Sequence, residues 1–405
     1  MNLDKLLDFK RTQDINSPVT ILVLVLLGVL SVAILFVAPV LIGAMVQYLA
    51  YSEAQASYII SAELAGMSLA TLLALYLHNR SNWRVTLLVA LLGMIAGNLG
   101  SFFIRDFIQL CSLRFLAGLA DGVAMSLCIA MIGLTRKPDG TFGLWVAGQL
   151  LFGALGLYGL PNLLPHFGYS CVYLILVPPM VIMLLLLRFL PQHGKRPTLA
   201  AAGASNGVYA APNRRYLLAG LGLAALFVFY VGHYGVWAYL ERIGGNALLA
   251  PVTIGKALSV ATVVGILGAL AAVGMGNRFT RLLPITLGLM ISIVAMVSLL
   301  GSVEPHRFLV AASVFSFAFN FVLPYLMASI AEVDIAGRLI MLTNMVSGAG
   351  LAGGPALAAV VQQHAGYDAV LLSGLGFSGL SLLLVWRLAL SQGGISNSGV
   401  SVKAA

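Results

Sequence analysis

Apolar residues in this chain run in long unbroken stretches separated by short polar interruptions. They show neither the strict alternation of a half-buried strand nor the single stripe of a surface helix. Twelve stretches are read, at about 19–46, 54–77, 85–104, 108–134, 142–163, 171–190, 216–240, 252–275, 283–302, 307–331, 338–362 and 368–390. Each is long enough to cross a hydrocarbon core as a helix, which takes about 20 residues. A strand reading would need a closed barrel with period-two alternation, which runs such as Ile21 to Leu30 lack. The pattern predicts an all-α polytopic membrane protein with twelve transmembrane helices. Met1 to Ser17 carries both charge signs and the stretch after it is too long for a signal-peptide core, so it reads as a retained anchor. The longest interruption, Gln192 to Arg215, is rich in Ala, Gly, Ser and Pro, with basic residues at both ends. It divides the chain into a six-helix bundle over 1–190, a cytoplasmic linker over 191–215 and a second six-helix bundle over 216–405.

Composition agrees with that environment: 60% of residues are apolar, 9% are charged and the mean hydropathy is +1.00, against about a quarter charged in soluble domains. The net charge of +9 does not point to nucleic acid, because the basic residues sit in short loops. Seventeen Lys and Arg fall on the side of the N-terminus and three, Arg105, Arg242 and Arg307, on the other. The positive-inside rule then predicts an integral plasma or inner membrane protein with both termini cytoplasmic. Cys111, Cys128 and Cys171 lie in or beside apolar stretches, so neither a disulfide framework nor a zinc site is expected. There is no P-loop, H-E-x-x-H or G-x-S-x-G signature. An enzyme, an ATP-driven pump, a cofactor and a bound metal are therefore not expected.

The two halves repeat a short loop. Asn79-Arg80-Ser81-Asn82-Trp83-Arg84 and Asn277-Arg278-Phe279-Thr280-Arg281 each join a second stretch to a third, 198 residues apart. With Leu110, Arg114 and Gly118, which fit a fourth-helix pattern of leucine four before an arginine and glycine four after it, these loops resemble the major facilitator superfamily. The resemblance covers essentially the whole chain. It implies parallel six-helix repeats with a solute site between them. It also implies that Asn79, Arg80, Arg84, Asn277, Arg278 and Arg281 belong to gating loops, and Glu332 and Asp334 at the cytoplasmic end read equally as their partners in an inner gate or as part of a solvated loop. The chain departs from the family motif at Asn79 and Asn277, where an acid is usual, and at Asn82, where glycine is usual. Span five (Gly148, Gly153, Gly156, Gly159, Pro161) and span eleven (Gly348, Gly350, Gly353, Gly354, Pro355) are rich in Gly and Pro without the exporter spacing. They read equally as rocking elements or as tight packing.

Charges inside spans carry the chemistry, since each costs at least about 2.5–3.5 kcal/mol near the bilayer centre unless it faces a partner or a cavity. Four qualify: Glu63, Arg114, Asp121 and Lys256. Arg114 and Asp121 stand seven residues apart on one helix face, and an Arg114–Glu63 pair fits the expected depths. Such a pair is either a coupling switch or a fixed register device. Asp121, between Gly118 and Gly122, reads as the main proton carrier, or as an acid that merely joins helices. Lys256 reads either as a snorkelling residue or as a cationic contact for an anionic substrate, opposite Arg114.

Span seven places Tyr230, His233, Tyr234 and Trp237 on one stripe, which suits an aromatic or amphipathic solute, with His233 as a second titrating group or a simple interhelical hydrogen bond. Gln149, Asn320 and Asn344 are further substrate-binding candidates. These residues together predict a secondary active transporter that moves a small organic solute by alternating access, and the charged chemistry is not duplicated: adding 198 to Glu63, Arg114 and Asp121 gives Ala261, Ala312 and Phe319. Coupling is thus expected in the first bundle and aromatic contacts in the second. The expected partners are a small organic anion or an aromatic, amphipathic metabolite, protons and the lipid bilayer, with the protein a monomer. Alternatives are a proton-coupled exporter of drugs or hydrophobic compounds, uncoupled diffusion, and a receptor or assembly factor on a transporter fold.

Overall fold

The computed structural model describes residues 14–78, 82–192, 212–276, 278–331 and 338–398. Asn79, Arg80, Asn277, Glu332, Asp334 and linker residues 193–211 lie outside the described residues. The helices are α1 Pro18–Leu30, α2 Ala33–Leu49, α3 Glu53–His78, α4 Trp83–Phe103, α5 Phe107–Ile132, α6 Pro138–Phe167, α7 Cys171–Leu186, α8 Pro212–Asn246, α9 Pro251–Met275, α10 Leu282–Val297, α11 Pro305–Ala331 and α12 Arg338–Ser398. Nine helical stretches among the described residues are long and apolar enough to cross a membrane, and Leu282–Val297 is a shorter apolar helix. The chain is an all-helical integral membrane protein. Local signals set the helix starts: Asn82 accepts from the Arg84 amide, Asp106 accepts from the Gln109 amide, and proline opens α1, α6 and α9.

Three boundaries differ from the sequence reading. The first span is two helices, α1 and α2, because Val32 leaves helical geometry (φ −125°, ψ 12°) and the Val32 and Leu35 amides bond three residues back, at 3.3 and 3.1 Å. The expected helix over 216–240 extends to Pro212–Asn246. Spans eleven and twelve follow each other directly as α12, two helical segments that meet at a kink at Gly366 with φ 80°, a left-handed conformation that glycine adopts without strain.

Connections alternate between two faces. On the near face, the Arg136 amide donates to Asn16, Thr20 to the Phe189 carbonyl and the Trp83 amide to the Gln192 carbonyl. On the far face, the Tyr51 hydroxyl donates to the Arg105 carbonyl and the Gly301 amide to Asp368. The halves meet along α3 with α12 and α6 with α9.

The repeat is visible as a duplicated contact. A methyl group built on Gly66 would stand 2.2 Å from the Phe115 carbonyl, and one on Gly268 would stand 2.2 Å from the Phe317 carbonyl. Both ends of this contact are displaced by 202 residues, four more than the loop offset. The structural counterparts of Glu63 and Arg114 are therefore Gly265 and Ser316 rather than Ala261 and Ala312. Gly265 is close-packed against Ser316 and Asn320, so the second half replaces the charges with small and polar groups. Gly268→Ala is expected to lower stability by about 1–3 kcal/mol, because backbone contact leaves no room for a methyl group. Thermal unfolding in detergent checks this against Gly379→Ala, where nothing lies within 4 Å.

Candidate functional site

A cavity of about 490 Å³ lies between the halves on the near-face side. Its wall is mainly apolar and sulfur-rich, with Leu64, Met67, Met125, Met327 and Leu351, and its polar members include Ser68, Tyr230, Asn344 and Ser347. No charged side chain lines it among the described residues. Far-face contacts close the opposite end. The Arg242 guanidinium donates to Glu53 at 2.6 and 2.9 Å, Tyr367 donates to the same carboxylate and Ser57 donates to the Tyr239 hydroxyl at 2.9 Å. These bonds join α3 to α8 and α12, across the two halves.

Beside the cavity, α3, α4, α5 and α7 build a buried charge cluster. Arg114 donates to Glu63 through Nε at 3.0 Å and through Nη2, and its Nη1 reaches Asn98 at 3.3 Å and Ser101 at 3.5 Å. Its guanidinium also lies 4.9 Å from the centre of the Tyr173 ring. Asp121, two turns along α5, reaches the same Glu63 carboxyl. Glu63, Arg114 and Asp121 are all buried. The cluster exists because the helices touch there: a methyl on Gly118 would stand 2.0 Å from the Glu63 carbonyl, and one on Gly122 would stand 2.4 Å from the Met67 carbonyl.

The break in the first span faces this cluster. Residues 30–35 line a space of about 10 Å³ together with Glu63, Asn98, Arg114 and Asp121. That is room for one water molecule. Val32, Leu35 and Met67 line both this space and the large cavity, so a single layer of side chains separates them.

The sequence candidates separate clearly by position. Tyr230 and Asn344 line the large cavity. Tyr234 is buried and donates to the Leu35 carbonyl at 2.7 Å, tying α8 to α2. His233 is enclosed by Phe229 and Phe315, with Nδ1 3.1 Å from the Phe229 carbonyl and Nε2 2.8 Å from the Ser292 hydroxyl. Both ring nitrogens have partners away from the cavity, which is the arrangement of an interhelical hydrogen bond. Asn320 donates to the Ser316 carbonyl at 2.9 Å and packs on Gly265. Gln149 is buried on α6 outside the cavity lining, and Lys256 is exposed near the start of α9, also outside it.

At the two repeated loops, buried Arg84 donates from Nε to the Leu190 carbonyl, and Arg281 donates to the Ala328 carbonyl at 2.6 Å, whereas Arg278 is exposed. Those two bonds fasten helices within each half. Gly153 and Gly156 pack on Phe36 and Val37, and Gly350 and Gly354 on Tyr230 and Gly235, so these glycines serve close packing in this state. The sequence reading did not identify Asn98, Ser101 and Tyr173 around Arg114, the methionines of the cavity, or the Glu53–Arg242 bridge. Glu53 sits at a helix start and Arg242 just past residue 240, where the sequence reading ends span seven, so neither stands out as an intramembrane charge.

The family model described as Major Facilitator Superfamily matches residues 22–355, well over half of the chain. Among curated proteins, none matches it.

Proposed function

The chain belongs to the major facilitator superfamily and is a membrane transporter of small molecules, and from that premise we propose that it couples the passage of an aromatic, amphipathic solute to protons by alternating access. The observation that carries this reading is the buried cluster of two carboxyls and one guanidinium beside the central cavity. Arg114 balances one carboxylate, and the remaining carboxyl has no counter-charge in a low-dielectric setting, which calls for a proton. Asp121 is the proton carrier in this reading, and Glu63 transmits its state to Arg114.

The cavity supports the solute class. Arg114 is engaged by Glu63 and Lys256 lies outside the lining, so an organic anion finds no cation at the wall. Methionines and Tyr230 instead offer a polarizable, adaptable surface for aromatic groups. The same surface favours the second reading, export of hydrophobic compounds, over uptake of a small polar acid.

Twelve crossings follow if Leu342–Ser391 is divided at Gly366 and α3 and α10 are added to the nine long spans. The excess of Lys and Arg assigns the near face to the cytoplasm, so this conformation is inward-facing. A thermal-shift panel of matched aromatic carboxylates, amides and amines tests the solute class. Stabilisation by amides or amines, with none by carboxylates, is expected; stabilisation confined to carboxylates would overturn it.

A further inference from the structure

We infer that Glu241, at the far-face seam between the two halves, is a second proton-binding carboxyl, separate from the Glu63–Asp121 cluster. It closes a space of about 50 Å³ between α2, α6, α8 and α9. Its Oε2 is buried and has no hydrogen-bond partner. A methyl built on Gly43 would stand 2.2 Å from that oxygen, so the carboxyl rests directly on the backbone of α2, in the opposite half.

Among the described residues, the one cation near this carboxyl is already paired. Arg242, the next residue, is committed to Glu53 of α3 at 2.6 and 2.9 Å, and Tyr367 of α12 and Tyr239 of α8 complete that group. From α2 the carboxyl is faced by Tyr48 and the neutral Gln47, and from α6 and α9 by prolines and a leucine. His166 and Tyr158 of α6 and Lys256 of α9 are exposed and do not line the space. Two carboxyls thus face one guanidinium, and it is Glu53 that the guanidinium holds, which leaves the Glu241 carboxyl to carry a proton.

The seam gives that proton a route. Glu241 belongs to one half and the glycine it rests on to the other, so parting of the halves on the far face uncovers the carboxyl to far-side water. The proton leaves to that water and returns from it before closure. This part rests on the alternating-access reading, whereas proton occupancy in the closed state does not.

Infrared titration of the full chain in lipid bilayers, without any solute, separates the two. Wild type is expected to show a protonated-carboxyl band persisting at neutral pH that Glu241→Gln removes and Asp121→Asn leaves in place. An unchanged carboxyl region in Glu241→Gln would overturn the assignment. Should that variant not fold, Gly43→Ala displaces the carboxyl from the other half, and the same band is expected to shift; a band that stays put overturns it equally. Loss of a separate band in Asp121→Asn reports on the proposed cluster, so one reading can fail while the other stands.

Discussion

Asp121→Asn is expected to abolish solute accumulation driven by a pH gradient while leaving passive equilibration of the same solute intact. A gradient of one pH unit is worth about 1.4 kcal/mol per proton, so each coupled proton supports about a tenfold concentration ratio. In reconstituted vesicles the wild-type ratio should follow the imposed gradient, and the variant ratio should stay near one. The substitution keeps the shape of the side chain and removes its ability to exchange a proton. Gly118 and Gly122 hold α5 against α3, so the amide can occupy the same position beside Glu63. A variant that still accumulates the aromatic solute identified by thermal shift would remove Asp121 from coupling. A variant that loses equilibration as well would indicate damage to the cavity, which unfolding measurements would reveal independently.

The fold was legible because membrane burial writes itself as uninterrupted apolar runs, and loop prolines and caps mark most of their ends. The Arg114–Glu63 pair was legible for a related reason: few charges are tolerated inside spans, so the few present tend to meet. The union of Asp121 with that pair was not read, since depth alone separates residues two turns apart and says nothing of a glutamate reaching between them. Span one hid its break because Val32 is an ordinary residue of an apolar run, and the departure from helix lies in its backbone angles. The aromatic stripe of α8 misled in part. Tyr230, His233 and Tyr234 share a helix face, yet one lines the cavity, one is enclosed in its own half and one bonds across to α2. Helical spacing gives direction around an axis, whereas the neighbour met in that direction is set by tertiary packing. The repeat offset failed for the same kind of reason: loops of different length shift the count, and the glycine contacts record the alignment of the helices themselves.

Arg114→Ala is expected to destabilise the protein by about 3–5 kcal/mol, because it leaves the Glu63 carboxylate buried without its cation. Asn98, Ser101 and Tyr173 cannot compensate, since they are arranged around the guanidinium and carry no positive charge. The second carboxyl deepens the effect whenever it releases its proton, because Asp121 then faces Glu63 with no charge between them to offset their repulsion. Glu63→Gln combined with Arg114→Met should recover much of the loss: it removes both charges and roughly keeps side-chain volume, and a buried pair often contributes little over apolar replacements. Thermal unfolding and the monodisperse fraction in detergent, measured on both single variants and the double variant, give the coupling between the two positions. A double variant no more stable than Arg114→Ala would show that the guanidinium acts through packing on Tyr173 and not through Glu63. A stable double variant that no longer accumulates solute would separate the two roles of this cluster, since its charges would then be required for transport but not for the fold.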